Sequence, residues 1–192
     1  MKIIIFTGIV LVSMLGLGIY LSLKTKITVK KITIVAILIA MASAGRILCA
    51  FVPSLQPVSF IVMMTSLYIG RFEGFSVGVG TGLVSNFVMG ITPYTIPQMF
   101  CWGLMGALTF KLPKWVNVGI AFIWGFVFGW LMNSVWYFVM PEAKFTLWAY
   151  LSFCVTSFSF DLIHAATNGA LMACFDNKVF KKIFMKWDKP DD

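Results

Sequence analysis

Residues 115 to 139 read WVNVGIAFIWGFVFGWLMNSVWYFV, 25 positions without one Asp, Glu, Lys or Arg. A membrane-crossing helix needs about 20 consecutive apolar residues, so this stretch alone predicts a helix that spans a lipid bilayer. The whole chain has the same character, because 60% of its 192 residues are apolar and 11% are charged. Its mean hydropathy of +0.93 excludes a single water-soluble core, since a small domain has too much surface to hide that many apolar side chains. The sequence therefore predicts an all-α integral membrane protein.

Seven apolar runs follow one another along the chain, separated by short links that carry prolines or charges. They cover residues 3–23, 32–52, 57–70, 74–89, 97–110, 115–139 and 147–175. Seven crossings leave no room for a soluble catalytic domain, which excludes an ATPase. Three of the runs are short for a bilayer core of about 30 Å, so 57–70 and 74–89 could instead form a re-entrant hairpin.

Lysine and arginine in the links lie almost entirely on one side of the predicted membrane. If all seven runs cross, Lys2 and Lys144 fall on one side and twelve basic residues on the other. Cytoplasmic loops carry the excess of positive charge, so the C-terminus is predicted in the cytoplasm and the N-terminus outside. The net charge of +8 is thereby explained by membrane-flanking segments, and no nucleic-acid partner is predicted.

With this orientation, polar and aromatic side chains from separate runs reach one level near the outer surface. Arg46, Asn86 and Asn133 lie within six residues of the outer ends of their runs, and a polar group that faces lipid is costly. An aromatic concave surface with a few convergent polar groups is typical of a small-molecule site, although Trp and Tyr also gather at any membrane interface. The predicted substrate-binding residues are Arg46, Phe51, Pro53, Gln56, Asn86, Tyr94, Gln98, Trp102, Asn133, Tyr137 and Trp148.

The last run carries Ser157, Asp161, His164 and Asn168 at helical spacing, so this face is predicted to look into the bundle. Interhelical hydrogen bonding and the floor of a cavity both remain open as its role. An ion pair between Arg46 and Asp161 also remains open, because it requires helix tilt or long side-chain reach. An intramembrane enzyme with Asp161 and His164 as base and orienting partner, and Ser157 as nucleophile, is a further alternative. One histidine without a second ligand set predicts no metal site.

Two stripes of small residues repeat at every fourth position, a spacing that lets another helix approach closely. They are Ala36, Ala40 and Ala44 in one run, and Gly74, Gly78 and Gly82 in another. Packing within the same chain is the first interpretation. A docking face for another membrane subunit is the second.

Several of these motifs resemble a known family. They are the alanine-stripe helix with AGRI at 44–47, PSLQP at 53–57, GRFEG at 70–74, SNFVMGITPYTIPQMFCWG at 85–103, and a basic tail. Over residues 30–186 the chain resembles the substrate-binding S component of energy-coupling factor (ECF) vitamin transporters, and the 85–103 stretch resembles the cobalamin-type members. The run at 3–23 departs from the six-helix pattern of this family.

The resemblance implies a six-helix substrate-binding membrane domain at 30–186. The apolar run before it predicts an extra N-terminal transmembrane helix with a basic linker at 1–29, and the residues after it a polar cytoplasmic tail at 187–192. It implies a subunit in the plasma membrane of a bacterium that captures cobalamin or a related corrinoid as transported substrate, without a permanently bound cofactor and without enzyme activity of its own. The implied partners are a transmembrane T component, docked through Ala36, Ala40 and Ala44, and two cytosolic ABC-type ATPases. The chain has no GxxxxGK[ST] loop, so ATP hydrolysis falls to those partners.

The residues alone leave the substrate open. Glu142, in a loop, is the only carboxylate near the predicted pocket, which disfavours a cationic vitamin. The amides of Asn86, Gln98 and Asn133 can donate and accept, which suits a ligand edged with carboxamides. Riboflavin, biotin and queuosine-like compounds remain alternatives, as does a stand-alone carrier, although no inverted repeat is evident.

Overall fold

The computed structural model describes residues 1–140 and 144–175, and within them all regular structure is helical. The eight helices of this part of the chain are α1 (Lys2–Ser22), α2 (Val29–Leu48), α3 (Val58–Tyr68), α4 (Arg71–Met89), α5 (Thr95–Leu108), α6 (Lys114–Val139), α7 (Leu147–Thr156) and α8 (Phe158–Cys174). Glu142, the end of the predicted six-helix domain and the predicted tail at 187–192 lie outside the described residues.

Among the described helices, α1, α2 and α6 are long and apolar enough to cross a membrane. Large apolar side chains cover their outer surfaces, and on α1 this includes the exposed Ile4, Val12 and Ile19. Soluble monomers rarely expose apolar patches of more than a few hundred Å². The surface therefore has the character of a membrane protein.

The last apolar run is interrupted, so the described chain has eight helices where seven runs predicted seven. The break falls at Ser157, which separates α7 from α8. Its hydroxyl donates to Asp161 Oδ2 over 2.8 Å and reaches the carbonyl of Cys154 at 3.4 Å. A hydroxyl that competes for backbone carbonyls is a known cause of helix bends, and the apolar pattern did not reveal it. The predicted helix count is corrected accordingly.

The basic links of the described chain meet at one end of the bundle. Lys31 Nζ, in the first turn of α2, lies 2.8 Å from Glu73 Oε1 in the first turn of α4. Arg71 Nε, at the start of α4, donates to the carbonyl of Ala107 near the end of α5 over 2.5 Å. We call this the lysine-rich end; it holds the α1–α2, α3–α4 and α5–α6 links. The opposite end holds the α2–α3 and α4–α5 links.

The short helix α3 is the centre of the bundle. Nine of its 11 residues are buried, and it contacts α2, α4, α5, α6 and α8. It starts where the ring of Pro57 packs against Gly45 near the end of α2, and the α3–α4 link returns to the lysine-rich end. Neither α3 nor α4 is among the helices long and apolar enough to cross a membrane, so the choice between two crossings and a re-entrant hairpin stays a prediction.

The glycine stripe of α4 packs inside the chain. Gly74, Gly78 and Gly82 are all buried, and α4 and α5 form the most extensive helix pair. A Cβ on Gly78 would overlap the backbone carbonyl of Trp102, and one on Gly106 would overlap the backbone of Gly74. Of the two interpretations of this stripe, the structure therefore supports close packing within the chain.

Helix α1 lies against α4, α5 and α6. The ring of Phe6 stacks on Phe138 near the end of α6, with ring centroids 4.0 Å apart. At the other end of α1, Gly18 faces the ring of Phe75 in the second turn of α4. The N-terminus of α1 therefore lies at the end opposite the lysines, and the helix is packed onto the bundle.

We expect Gly78→Ala to lower the stability of the bundle by about 1–3 kcal/mol, because the added methyl group overlaps backbone atoms that cannot move aside. The matched control is Gly119→Ala in α6, where nothing lies within 4 Å of the new Cβ. Alanine favours a helix more than glycine does, so the control should keep or raise the melting temperature. Thermal unfolding of the purified chain in detergent measures both variants, and shifts in the same direction would contradict this account of the α4–α5 contact.

Candidate functional site

A buried polar cluster lies near the end opposite the lysines, where α2, α4 and α5 meet. Arg46 is 8% exposed; its Nη1 donates to Ser85 Oγ over 2.5 Å and its Nη2 to Gln98 Oε1 over 3.2 Å. The guanidinium carbon also lies 5.0 Å from the ring centroid of Trp102, within the range of a cation–π interaction. Asn86 Nδ2 donates to the same Gln98 oxygen over 2.9 Å. We call Arg46, Ser85, Asn86, Gln98 and Trp102 the arginine cluster.

The backbone places these side chains at one level. Arg46 precedes the end of α2 by two residues, Asn86 precedes the end of α4 by three, and Gln98 follows the start of α5 by three. Hydrogen bonds to local carbonyls hold two of the groups in place. Ser85 Oγ donates to Thr81 and Asn86 Nδ2 to Gly82, both over 2.6 Å. The acceptors around Arg46 are therefore held in place by hydrogen bonds within the bundle.

All partners of Arg46 in the described chain are uncharged. Within residues 1–140 and 144–175, no carboxylate lies within ion-pair distance of the guanidinium, and its hydrogen bonds go to a hydroxyl and an amide oxygen. The ion pair with Asp161 that the sequence left open is not formed. A buried charge without a counter-charge is costly, so the arginine cluster is a candidate functional site.

The structure brings together four of the predicted site residues, Arg46, Asn86, Gln98 and Trp102. The sequence analysis did not include Ser85 among the predicted site residues. Its position directly before Asn86, one turn from the end of α4, could have indicated it. Trp102 is completely buried, whereas Gln98 is only half-buried. Gln98 therefore forms the accessible side of the cluster.

Five predicted residues in or beside the links lie at or near the surface. Phe51 and Trp148 are 84% and 80% exposed, and Pro53 is also exposed. Gln56 and Tyr94 are half-buried. Burial raises the pKa of the Tyr94 phenol, so its hydroxyl stays protonated at neutral pH and can donate a hydrogen bond.

Asn133 and Tyr137, on α6, belong to different surroundings. Asn133 Nδ2 donates to Ser157 Oγ over 2.9 Å, and that hydroxyl donates to Asp161 Oδ2. Asn133 therefore connects α6 to the break before α8 by a hydrogen bond. Its depth in the membrane had predicted that it lies beside Arg46. Tyr137 is buried, and its ring lies 5.0 Å from that of Phe145.

The polar stripe of the last run faces the bundle, as its spacing predicts: Asp161, His164 and Asn168 are buried. His164 Nε2 lies 2.9 Å from Ser59 Oγ on α3, and the histidine ring packs edge-on against Phe128, with centroids 5.1 Å apart. In the part of the chain that the structure describes, no three His, Cys, Asp or Glu side chains lie close enough to hold a metal ion.

The alternative of an intramembrane enzyme named Ser157 as the nucleophile, but the hydroxyl beside His164 is that of Ser59. Ser157 donates its hydrogen bond to Asp161. Ser59 is separated from His164 by 105 positions, so no sequence spacing could connect them. Both side chains are buried. The proposed base and orienting partner, Asp161 and His164, have different partners.

The alanine stripe differs from the glycine stripe in its surroundings. Ala36, Ala40 and Ala44 are all exposed on α2, with no helix of the described chain packed over them. Glu73, which the sequence placed in a link, lies in the first turn of α4 and is only 2% exposed. Its burial could not be predicted from the sequence, because in GRFEG a charged residue stands on each side of the phenylalanine and the segment has the pattern of a polar link.

In residues 1–140 and 144–175 these features define a helical bundle with three helices long and apolar enough to cross a membrane, and with a buried polar cluster at one end. No protein-family model, curated protein or solved structure matches the chain. The likeness to ECF S components remains a prediction from the sequence motifs.

We expect Gln98→Leu to lower stability by about 1.5–3 kcal/mol, because it removes a hydrogen-bond acceptor from a buried cation. Gln98→Glu should restore or raise stability, since a carboxylate at this position pairs with the guanidinium. Thermal unfolding in detergent measures both variants. The control is Gln56→Leu, a half-buried glutamine in the α2–α3 link, with an expected change within about 0.5 kcal/mol. Equal losses for the two leucine variants would contradict the role given to Gln98.

Proposed function

We propose that the chain is an integral membrane protein that captures a small solute, as the substrate-binding S component of an ECF-type vitamin importer. The arginine cluster carries this proposal. A cation that is nine-tenths buried, surrounded by oriented neutral acceptors and an indole face, is expensive to keep in an apolar bundle. Converging polar groups beside an aromatic surface are the usual composition of a small-molecule site.

Insertion in the plasma membrane of a bacterium, with the lysine-rich end in the cytoplasm, is part of the proposal. Three helices of sufficient length and apolarity support it, together with the exposed apolar surface of α1. The positive-inside rule supports the orientation. The arginine cluster then faces the outside, and the C-terminus lies in the cytoplasm.

Cobalamin is the first candidate substrate, on the resemblance of residues 85–103. The cluster fits a ligand edged with carboxamides, because Gln98 and Asn86 offer both donors and acceptors and Arg46 offers donors only. Gln98 and Tyr94 are half-buried and give a ligand its way in from the α4–α5 link. Riboflavin, biotin and queuosine-like compounds are alternatives with the same requirement for hydrogen-bonding partners. The vitamin is cargo, and no permanently bound cofactor is proposed.

The exposed alanine stripe of α2 is the proposed docking face for the T component, which two cytosolic ABC-type ATPases would drive. Small side chains permit close helix contact in a membrane. Ala36, Ala40 and Ala44 are unoccupied by the described helices, whereas the glycines of α4 are already covered by α5. The two stripes therefore have separate tasks.

An intramembrane hydrolase is the second candidate, and the 2.9 Å contact between Ser59 and His164 favours it. A hydroxyl beside an imidazole is the signature of an activated nucleophile. Both groups are buried, so the reaction would require an opening of the bundle. Hydrolytic activity that is lost in Ser59→Ala, with vitamin binding unchanged, would favour this candidate over the first.

Calorimetric titration of the purified full chain with cobalamin, riboflavin and biotin tests the first candidate. We expect cobalamin to bind and Asn86→Ala to weaken it about tenfold or more, because the change removes a donor that orients Gln98. Asn133→Ala is the matched control, since this asparagine bonds to Ser157 and to no member of the arginine cluster. The affinity of this variant for cobalamin should stay within about threefold of that of the unchanged chain.

Thermal unfolding of both asparagine variants beforehand separates lost binding from lost folding. The proposed capture site would be contradicted if none of the three vitamins gave a heat of binding. It would also be contradicted if both variants lost the same amount of affinity for the vitamin.

Uptake by cells that express the whole transporter tests the docking face. We expect Ala40→Phe together with Ala44→Phe to abolish vitamin uptake and to leave vitamin binding unchanged, because bulky side chains hold a partner helix away from α2. Ala166→Phe with Ala170→Phe is the matched control, since these two alanines have the same spacing and are exposed on α8. Full uptake by the α2 variant would remove the docking assignment.

A further inference from the structure

A cavity of about 440 Å³ opens between α2 and α4 at the lysine-rich end. Apolar side chains form almost all of its wall, including Val35, Ala36 and Ile39 from α2 and Phe72 from α4. Ala36 is also the first residue of the alanine stripe, so a ligand in this cavity and a docked partner helix exclude each other at that position. Its polar members are Lys31 and Glu73 at one end, with Ser76 beside them. The volume lies within the range of about 300–1,000 Å³ that small-molecule sites occupy. The cavity is separate from the arginine cluster and shares no residue with it.

The cavity is elongated along α2. It extends from Ile27, just before the helix, to Ile39, and the helical part from Val29 onward rises about 15 Å. Half of a bilayer core of about 30 Å has the same depth. From Lys31 to Ile39 the helix rises about 12 Å, so a chain in this groove with its polar end at Lys31 covers most of one lipid leaflet.

The charged end of the groove has a cation with spare donors. Lys31 Nζ lies 2.8 Å from Glu73 Oε1, and the lysine side chain is 23% exposed while that of Glu73 is 3% exposed. An ammonium has three donors, so one contact with the buried carboxylate leaves two for a group at the mouth. Lys26 is exposed in the preceding link and adds positive charge at the same level.

We propose that the groove between α2 and α4 binds an anionic phospholipid, with one acyl chain along Val35 and Ile39 and the phosphate on Lys31. Basic pockets between membrane helices on the cytoplasmic side recognise such headgroups. A partner helix is a poorer fit, because 15 Å of a helix about 10 Å across fills about 1,200 Å³, well above the cavity. The inference rests on the membrane insertion proposed above, and it is independent of the vitamin.

Native mass spectrometry of the full chain from nanodiscs that contain equal phosphatidylglycerol and phosphatidylcholine tests this site. We expect retained phosphatidylglycerol in the unchanged chain and its loss in Val35→Trp, whose indole fills the groove. Val12→Trp is the matched control, since Val12 is exposed on α1 away from the groove, and it should retain the lipid. No preference for phosphatidylglycerol in the unchanged chain, or equal retention in the two tryptophan variants, would overturn the proposal.

The headgroup contact is tested by two further variants. Glu73→Gln keeps the Lys31 cation and should keep or strengthen the preference for phosphatidylglycerol. Lys31→Gln combined with Glu73→Gln removes the cation without leaving a lone buried charge, and should weaken the preference about fivefold. Equal preference in these two variants would overturn the assignment of the phosphate to Lys31.

Vitamin titration of the same preparations separates this inference from the proposed function. Lipid retention without vitamin binding removes only the capture site, whereas vitamin binding without selective lipid retention removes only the lipid site. A protein that co-purifies on the groove and excludes phosphatidylglycerol would also overturn the lipid assignment.

Discussion

The burial of charge in a bundle of apolar helices is the constraint on which this structure depends. Arg46 keeps its charge beneath the surface because a hydroxyl, an amide oxygen and an indole face surround it. These neutral partners orient the guanidinium and leave its charge uncompensated. Three helices must hold their register to supply them, so α2, α4 and α5 are fixed relative to one another by the same contacts that prepare the site.

At the lysine-rich end, the buried charge is stabilised by an opposite charge. There Glu73 is buried and has its counter-charge, Lys31, at 2.8 Å. The compensated pair leaves an anion only the spare donors of Lys31, whereas the uncompensated cation has no carboxylate to compete with a ligand oxygen. This contrast separates the two ends of the bundle chemically: one end holds a buried cation with neutral partners, and the other displays basic side chains around a buried ion pair. The difference follows from the residues that α4 contributes, which are a serine and an asparagine at one end and a glutamate at the other.

Hydropathy and spacing predicted much of the fold because both record which side chains avoid water. The apolar runs located the helices, and depth by helix rise brought Arg46 and Asn86 to one level. Depth does not say which way a side chain points around its helix, so Asn133 was assigned to the layer of Arg46 although it faces Ser157. Contacts across long separations were also out of reach, as with Ser59 and His164. The break at Ser157 depends on a hydroxyl competing with backbone carbonyls, which hydropathy cannot register.

A continuous line of contacts joins the arginine cluster to the buried stripe of α8. Arg46 lies over Trp102, the indole stacks on Phe128 at 5.0 Å, and that ring meets His164, which bonds to Ser59. Packed rings at these distances cannot slide independently, because protein interiors have almost no free volume. The close glycine contacts between α4 and α5 leave no space between these two helices either. The α2–α3 and α4–α5 links lie outside this packed line of rings, so in the proposed capture function they are the segments that can move while the helices beneath them stay in place.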